Sequence, residues 1–151
     1  MKKLIMTFCA LALTLTVTNA QTTQGTMTFG WGTEFLPSDA GNTVNVGYFV
    51  KDGIMVSAEF NMVMADETDM NWGIGARYYV GDDGMWAGLT ANNADGDGVD
   101  VEDGMDMWLG AGYSKALALD GKLWFEPTIG YSMPNVGDGS IGMGMGFRLA
   151  F

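Results

Sequence analysis

The chain contains no histidine, so it lacks the side chain most often used to move protons near neutral pH. Its single cysteine, Cys9, lies inside an apolar N-terminal stretch expected to be removed on export. The mature chain is then left without a disulfide, a thiol nucleophile or a thiolate metal site. Cations are scarce as well: 7 Lys and Arg stand against 18 Asp and Glu, a formal net charge of −11. Such a surface repels nucleic acid and anionic lipid, and no basic patch exists to bind either. After the N-terminal stretch no segment holds the roughly eighteen consecutive apolar residues that a membrane-crossing helix needs, which excludes a helical membrane protein. Disorder is excluded too, because aromatic residues make up 12% of the chain and recur along it.

The N-terminus reads as an address. Met1-Lys2-Lys3 is cationic, Leu4 to Val17 is apolar with some threonine, and Thr18-Asn19-Ala20 supplies small residues before a cut at Gln21. This is the pattern of a secretory signal peptide over residues 1–20, leaving 21–151 as one domain. A lipoprotein reading would need a small residue before Cys9, and Phe8 stands there. Without Lys2 and Lys3 the formal charge falls from −11 to −13, and the remaining cations are Lys51, Arg77, Lys115, Lys122 and Arg148.

What the chain does have is alternation. From Ile141 to Phe151 every odd position is large and apolar (Ile141, Met143, Met145, Phe147, Leu149, Phe151), and every even one is glycine, arginine or alanine. A period of two is a β-strand whose faces differ. One face is continuous oil-compatible surface and the other is nearly bare backbone, which suits lipid outside and a crowded bore inside.

The same pattern predicts eight strands: Thr26–Phe35, Thr43–Val50, Ile54–Met64, Met70–Val80, Met85–Ala91, Met105–Lys115, Lys122–Met133 and Ile141–Phe151. Turn signals separate them at Pro37–Gly41, Lys51-Asp52-Gly53, Gly81–Gly84 and Asp120-Gly121. Pro127 donates no ladder hydrogen bond, so a bulge or break is expected there. The outward set carries no charge away from strand ends, and a charge at a bilayer midplane costs about 2–4 kcal/mol. Closure is required, because an open edge in hydrocarbon leaves backbone groups unpaired. The predicted fold is therefore all-β: a transmembrane, up-and-down, antiparallel eight-stranded barrel. Trp86, Trp108, Trp124, Phe49 and Tyr79 point inward by phase and fill the room that inward glycines leave.

On these residues, and on the terminal Phe151, the mature chain resembles the small eight-stranded outer-membrane barrels of the OmpA/OmpX-like class. The resemblance implies a monomer in the outer membrane of a Gram-negative bacterium, in contact with outer-membrane lipid and lipopolysaccharide. It also implies insertion by the barrel-assembly machinery, which reads the last strand and its Phe151, and a lumen closed by polar and charged side chains. With both termini periplasmic, the connections near Asp39, Asp66, Asp95 to Asp103 and Asp138 face outside. The chain departs from the class in its short external loops and its glycine-rich inward face.

Five inward charges, Glu34, Glu59, Arg77, Glu126 and Arg148, are the candidate functional residues. Each is costly to bury alone, so pairing or trapped water is required. They form either a plug of salt bridges, the favoured reading in so narrow a barrel, or a gate along a polar path. Asn93-Ala-Asp95-Gly-Asp97-Gly98-Val-Asp100 is similar to a calcium loop, but an EF-hand needs glutamate where Gly104 stands. A solvated acidic loop is favoured, with a weak Ca²⁺ site as the alternative; no other cofactor is expected. Barrel-embedded acyltransferases, phospholipases, deacylases and omptin-type proteases all route protons through histidine, so catalysis of those kinds is excluded. Glu59 and Glu126 could form a glycosidase-like pair, but nothing organises a sugar site around them. The reading is a non-enzymatic barrel with an envelope-structural or surface-interaction role. A passive pore or small-solute channel is the alternative, and a calyx-like soluble carrier is the third reading.

Overall fold

The computed structural model describes residues 22–36, 42–64, 68–81, 83–93 and 104–151. The expected leader, residues 1–20, lies outside them. Alternating apolar and small residues build β1 (Met27–Leu36), β2 (Asn42–Lys51), β3 (Ile54–Met64), β4 (Thr68–Val80) and β5 (Met85–Asn93). They are followed by β6 (Met105–Tyr113), β7 (Lys115–Ala118), β8 (Leu123–Met133) and β9 (Ser140–Ala150). Except for β6 and β7, each strand pairs antiparallel with its sequence neighbour, β1 also pairs β9, and β6 pairs β8, so the sheet closes on itself. β6 and β7 are two pieces of one barrel strand, since Gly112↔Thr128 and Lys115↔Phe125 keep a single register on β8. That register places the gap opposite Pro127, whose nitrogen carries no hydrogen to donate. The result is an eight-stranded closed antiparallel barrel.

Side chains sort by phase. Phe49, Met55, Tyr79, Trp86 and Trp124 are buried in the bore, whereas Met27, Phe29, Trp31, Tyr48, Ile74, Leu109 and Ile129 stand exposed outside. Trp31 stacks on Phe147 at 5.1 Å between ring centroids, and Phe147 meets Phe125 at 5.5 Å. This outer aromatic run crosses β1, β9 and β8, and such pairs each contribute about 0.5–1.5 kcal/mol beyond their burial.

The inward glycines answer to the inward tryptophans. Gly110 and Gly130 are cross-strand partners, and a Cβ on either would run into the Trp108 indole. A Cβ on Gly112 would meet the Trp86 ring in the same way. Glycine lets wide rings lie flat against the barrel wall in a bore otherwise too narrow for them.

The strands overrun their sequence-predicted ends at the rim opposite the termini (the far rim). β4 begins at Thr68 and not Met70, so Asp69 pairs with Val63 in the sheet instead of joining the acidic turn. β5 runs on to Asn93, with Asn92 opposite Asp106 and Asn93 opposite Met105. Polar residues can prolong a ladder past the apolar belt, and an apolar alternation does not register them. At the other rim, Leu119, Asp120 and Gly121 have φ of 57°, 53° and 83°, the left-handed geometry of a tight hairpin built on Asp-Gly.

Candidate functional site

Glu126 is the hub of the bore. It projects inward from β8 opposite Gly146, which offers no side chain to compete for the space. Arg148, opposite Trp124 on β9, lies diagonally across and brings its Nε to 2.8 Å from Glu126 Oε1. Arg77 reaches in from β4, and its Nη1 lies 2.8 Å from Glu126 Oε2. Ser114, in the gap between β6 and β7, donates its hydroxyl to Glu126 Oε1 and accepts from Arg148 Nη2 at 3.3 Å. One carboxylate thus takes charge-assisted bonds from two guanidiniums and a hydroxyl.

Aromatic rings enclose these charges. The Arg148 guanidinium lies 5.2 Å from the Trp124 ring centroid, 5.5 Å from Tyr79 and 5.8 Å from Phe49. Its Nη1 also meets Met55 Sδ at 3.7 Å. Arg77 sits 4.2 Å over the Trp86 ring. Phe49, Met55 and Trp124 are 0% exposed and Arg148 is 1% exposed, so these side chains are closed to bulk solvent. Arginine suits the setting, because its planar, weakly hydrated cation stacks on rings while its fork grips a carboxylate.

Three of the five expected lumen charges, Arg77, Glu126 and Arg148, therefore come together. Glu59 does not join them: its Oε1 accepts from Ser57 at 3.2 Å and Thr90 at 3.4 Å. Glu34 is on β1 opposite Gly144, and its side chain lies outside the described residues. Of the calcium-loop candidates, Asp95, Asp97 and Asp100 also lie outside them. Asn93 sits at the end of β5, where its Oδ1 accepts the Trp72 N–H at 2.7 Å. Among the described residues no three acidic, cysteine or histidine side chains are grouped to hold a metal ion. Phe151 closes the barrel through its backbone, exchanging hydrogen bonds with Met27 at 2.9 and 3.2 Å, while its ring is 69% exposed.

Sequence reasoning missed Ser114 and Met55 as members of the cluster. Phase put both inside, but neither carries a charge to draw notice. On the far-rim side of the cluster a cavity of about 120 Å³ is lined by Asn45, Glu59, Arg77, Thr90, Asn92 and Thr128 among others.

No protein-family model and no curated protein sequence matches the chain. Solved structures do. The N-terminal β-barrel domain of Pseudomonas aeruginosa OprF superposes with a TM-score of 0.63 at 16% identity, covering 85% of this chain and 98% of that one. The fold is the small outer-membrane β-barrel. A de novo designed transmembrane β-barrel matches with a TM-score of 0.53 at 13% identity, covering 89% of this chain and 100% of that one. The likeness extends the shared fold to a barrel whose sequence was designed. In a transmembrane barrel the outward Met, Phe, Trp and Leu side chains face lipid.

Proposed function

We propose that the protein is a non-enzymatic structural component of a Gram-negative outer membrane, exported through a signal peptide at residues 1–20. It is inserted by assembly machinery that reads Ile141–Phe151, and it stands as a monomer among lipid and lipopolysaccharide. Its bore is sealed to solutes. The observation that carries the sealed bore is the Arg77–Glu126–Arg148 cluster, packed between Phe49, Met55, Tyr79, Trp86 and Trp124. Opening a path there would strip paired charges of their partners, and removing one partner of a buried pair costs about 3–5 kcal/mol. The lack of histidine in the sequence supports a role without catalysis. Planar-bilayer recording tests the reading: the folded protein is expected to give no steady openings above background. A stable unitary conductance in the wild type would replace it with the passive pore, a reading favoured by the far-rim cavity.

A further inference from the structure

We propose that Met105, Met107 and Met133, on the outer face at the far rim, bind a soft, singly charged cation of the copper(I) class through their thioether sulfurs. Register brings the three together. Met107 is the cross-strand partner of Met133, and Met105 lies two residues away from Met107 on the same face of β6. Directly opposed residues of antiparallel strands hold their Cβ atoms about 4.5–5.5 Å apart, with the diagonal neighbour about 7–8 Å away. Methionine is unbranched, with three rotatable bonds, so its sulfur can cross gaps of that size. Met105 is 50% exposed and Met107 44%, and Met133 is half-buried, so these side chains are open to the exterior.

Packing against lipid asks only for apolar volume, which leucine supplies as well, and it does not account for how sulfur is grouped. The same register recurs on β3 and β4, where Met62 and Met64 repeat the spacing and Met62 is opposite Met70. Each group lies one rung beyond an aromatic level, Tyr131 on β8 in one case and the Phe60–Trp72 pair in the other. Aromatic girdles mark the membrane–water interfaces of such barrels. The Met105, Met107 and Met133 group therefore stands at headgroup and water level, where an ion need not enter hydrocarbon.

The donor set selects the class. Thioether sulfur is a soft, neutral ligand that favours copper(I), whereas calcium and magnesium take oxygen and zinc takes thiolate, imidazole or carboxylate. The chain has no histidine, and its single cysteine, Cys9, stands far ahead of the barrel strands. Met55 is not available for the same work: it is fully buried, and its sulfur accepts from Thr28 and Arg148. Met143 and Met145 share the spacing on β9 but are opposite Ile129 and Pro127, so no third sulfur faces them across β8. Asp106, between Met105 and Met107, and the chain's net charge of −11 favour cations at this rim.

The test is native mass spectrometry of the folded mature protein released from zwitterionic micelles. Silver nitrate serves as a redox-inert stand-in, and copper(I) is held reduced by ascorbate without oxygen. The wild type is expected to carry both ions and to keep them against equal zinc or potassium nitrate. The triple variant Met105→Leu, Met107→Leu, Met133→Leu conserves apolar volume and should carry one ion fewer. The double variant Met143→Leu, Met145→Leu should keep the full count. No bound ion on the wild type, an unchanged count in the triple variant, or a lost ion in the double variant would overturn the proposal. Silver binding without copper(I), or displacement by zinc, would overturn the copper(I) assignment. If the triple variant gives no heat-modifiable folded band, Met107→Leu alone, which breaks the opposed pair, is read by the same criteria.

Discussion

At the scale of single residues, Glu126 is the position where one atom change matters most. Glu126→Gln keeps the shape but removes the carboxylate that holds the Arg77 and Arg148 guanidiniums together. The expected loss is about 3–5 kcal/mol, read as a lower urea midpoint for the vesicle-embedded protein by tryptophan fluorescence. Glu59→Gln is the contrast. Its hydrogen-bond partners are hydroxyls from which an amide oxygen can still accept, so its cost should stay near or below about 1 kcal/mol. Comparable losses at both positions would mean that the charges act as a diffuse field and not through the contacts described. Gly110→Ala belongs to the same scale: its Cβ runs into the Trp108 ring and the Ile129 carbonyl oxygen. Overpacking of this kind costs about 1–3 kcal/mol, and the altered Trp108 environment should show in near-ultraviolet circular dichroism.

At the scale of strands, alternation in the sequence carried most of the architecture. Ile54–Met64 has the same ends in the sequence and in the sheet, because a tight turn bounds it on one side and its apolar phase runs unbroken. The Pro127 interruption was readable as well, since a missing N–H is a covalent fact. The far-rim extensions of β4 and β5 were not, because there the ladder continues on polar residues such as Asn92 and Asp69. Nor did phase say which inward charges would meet. Arg77 and Glu126 are 49 residues apart in the sequence, and only closure of the sheet brings them face to face. Two predictions belong at this scale. Leu109→Arg, mid-strand on the outer face of β6, should cost about 2–4 kcal/mol in vesicles. Phe151→Ala keeps the two backbone bonds to Met27 while removing a ring that is exposed. In vitro refolding into detergent should therefore be unchanged, while the folded fraction in outer membranes of expressing cells falls. Equal losses in both assays would show that the ring stabilises the barrel itself and is not read by assembly machinery.

At the scale of the whole molecule, the charge imbalance sets how the barrel meets a membrane. The mature chain's formal −13 follows from 18 acidic residues and five remaining cations. By sequence pattern most of the acids fall in the connections between strands, and the outward side chains of the described strands are apolar. A rim must cross the bilayer for the barrel to insert, so an anionic lipid surface repels the unfolded chain before any strand pairs. That repulsion is long-ranged only in dilute salt, with a screening length of about 30 Å at 0.01 M and about 3 Å at 1 M. Refolding into vesicles with one-fifth anionic lipid should thus be slower than into purely zwitterionic vesicles at 0.01 M salt. The difference should vanish near 1 M. The measurement is the rise of the heat-modifiable, faster-migrating folded band with time on unboiled gels. A lipid-charge effect that survives high salt would place the barrier in bilayer packing instead of electrostatics, and would separate the acidic rims from the kinetics of insertion.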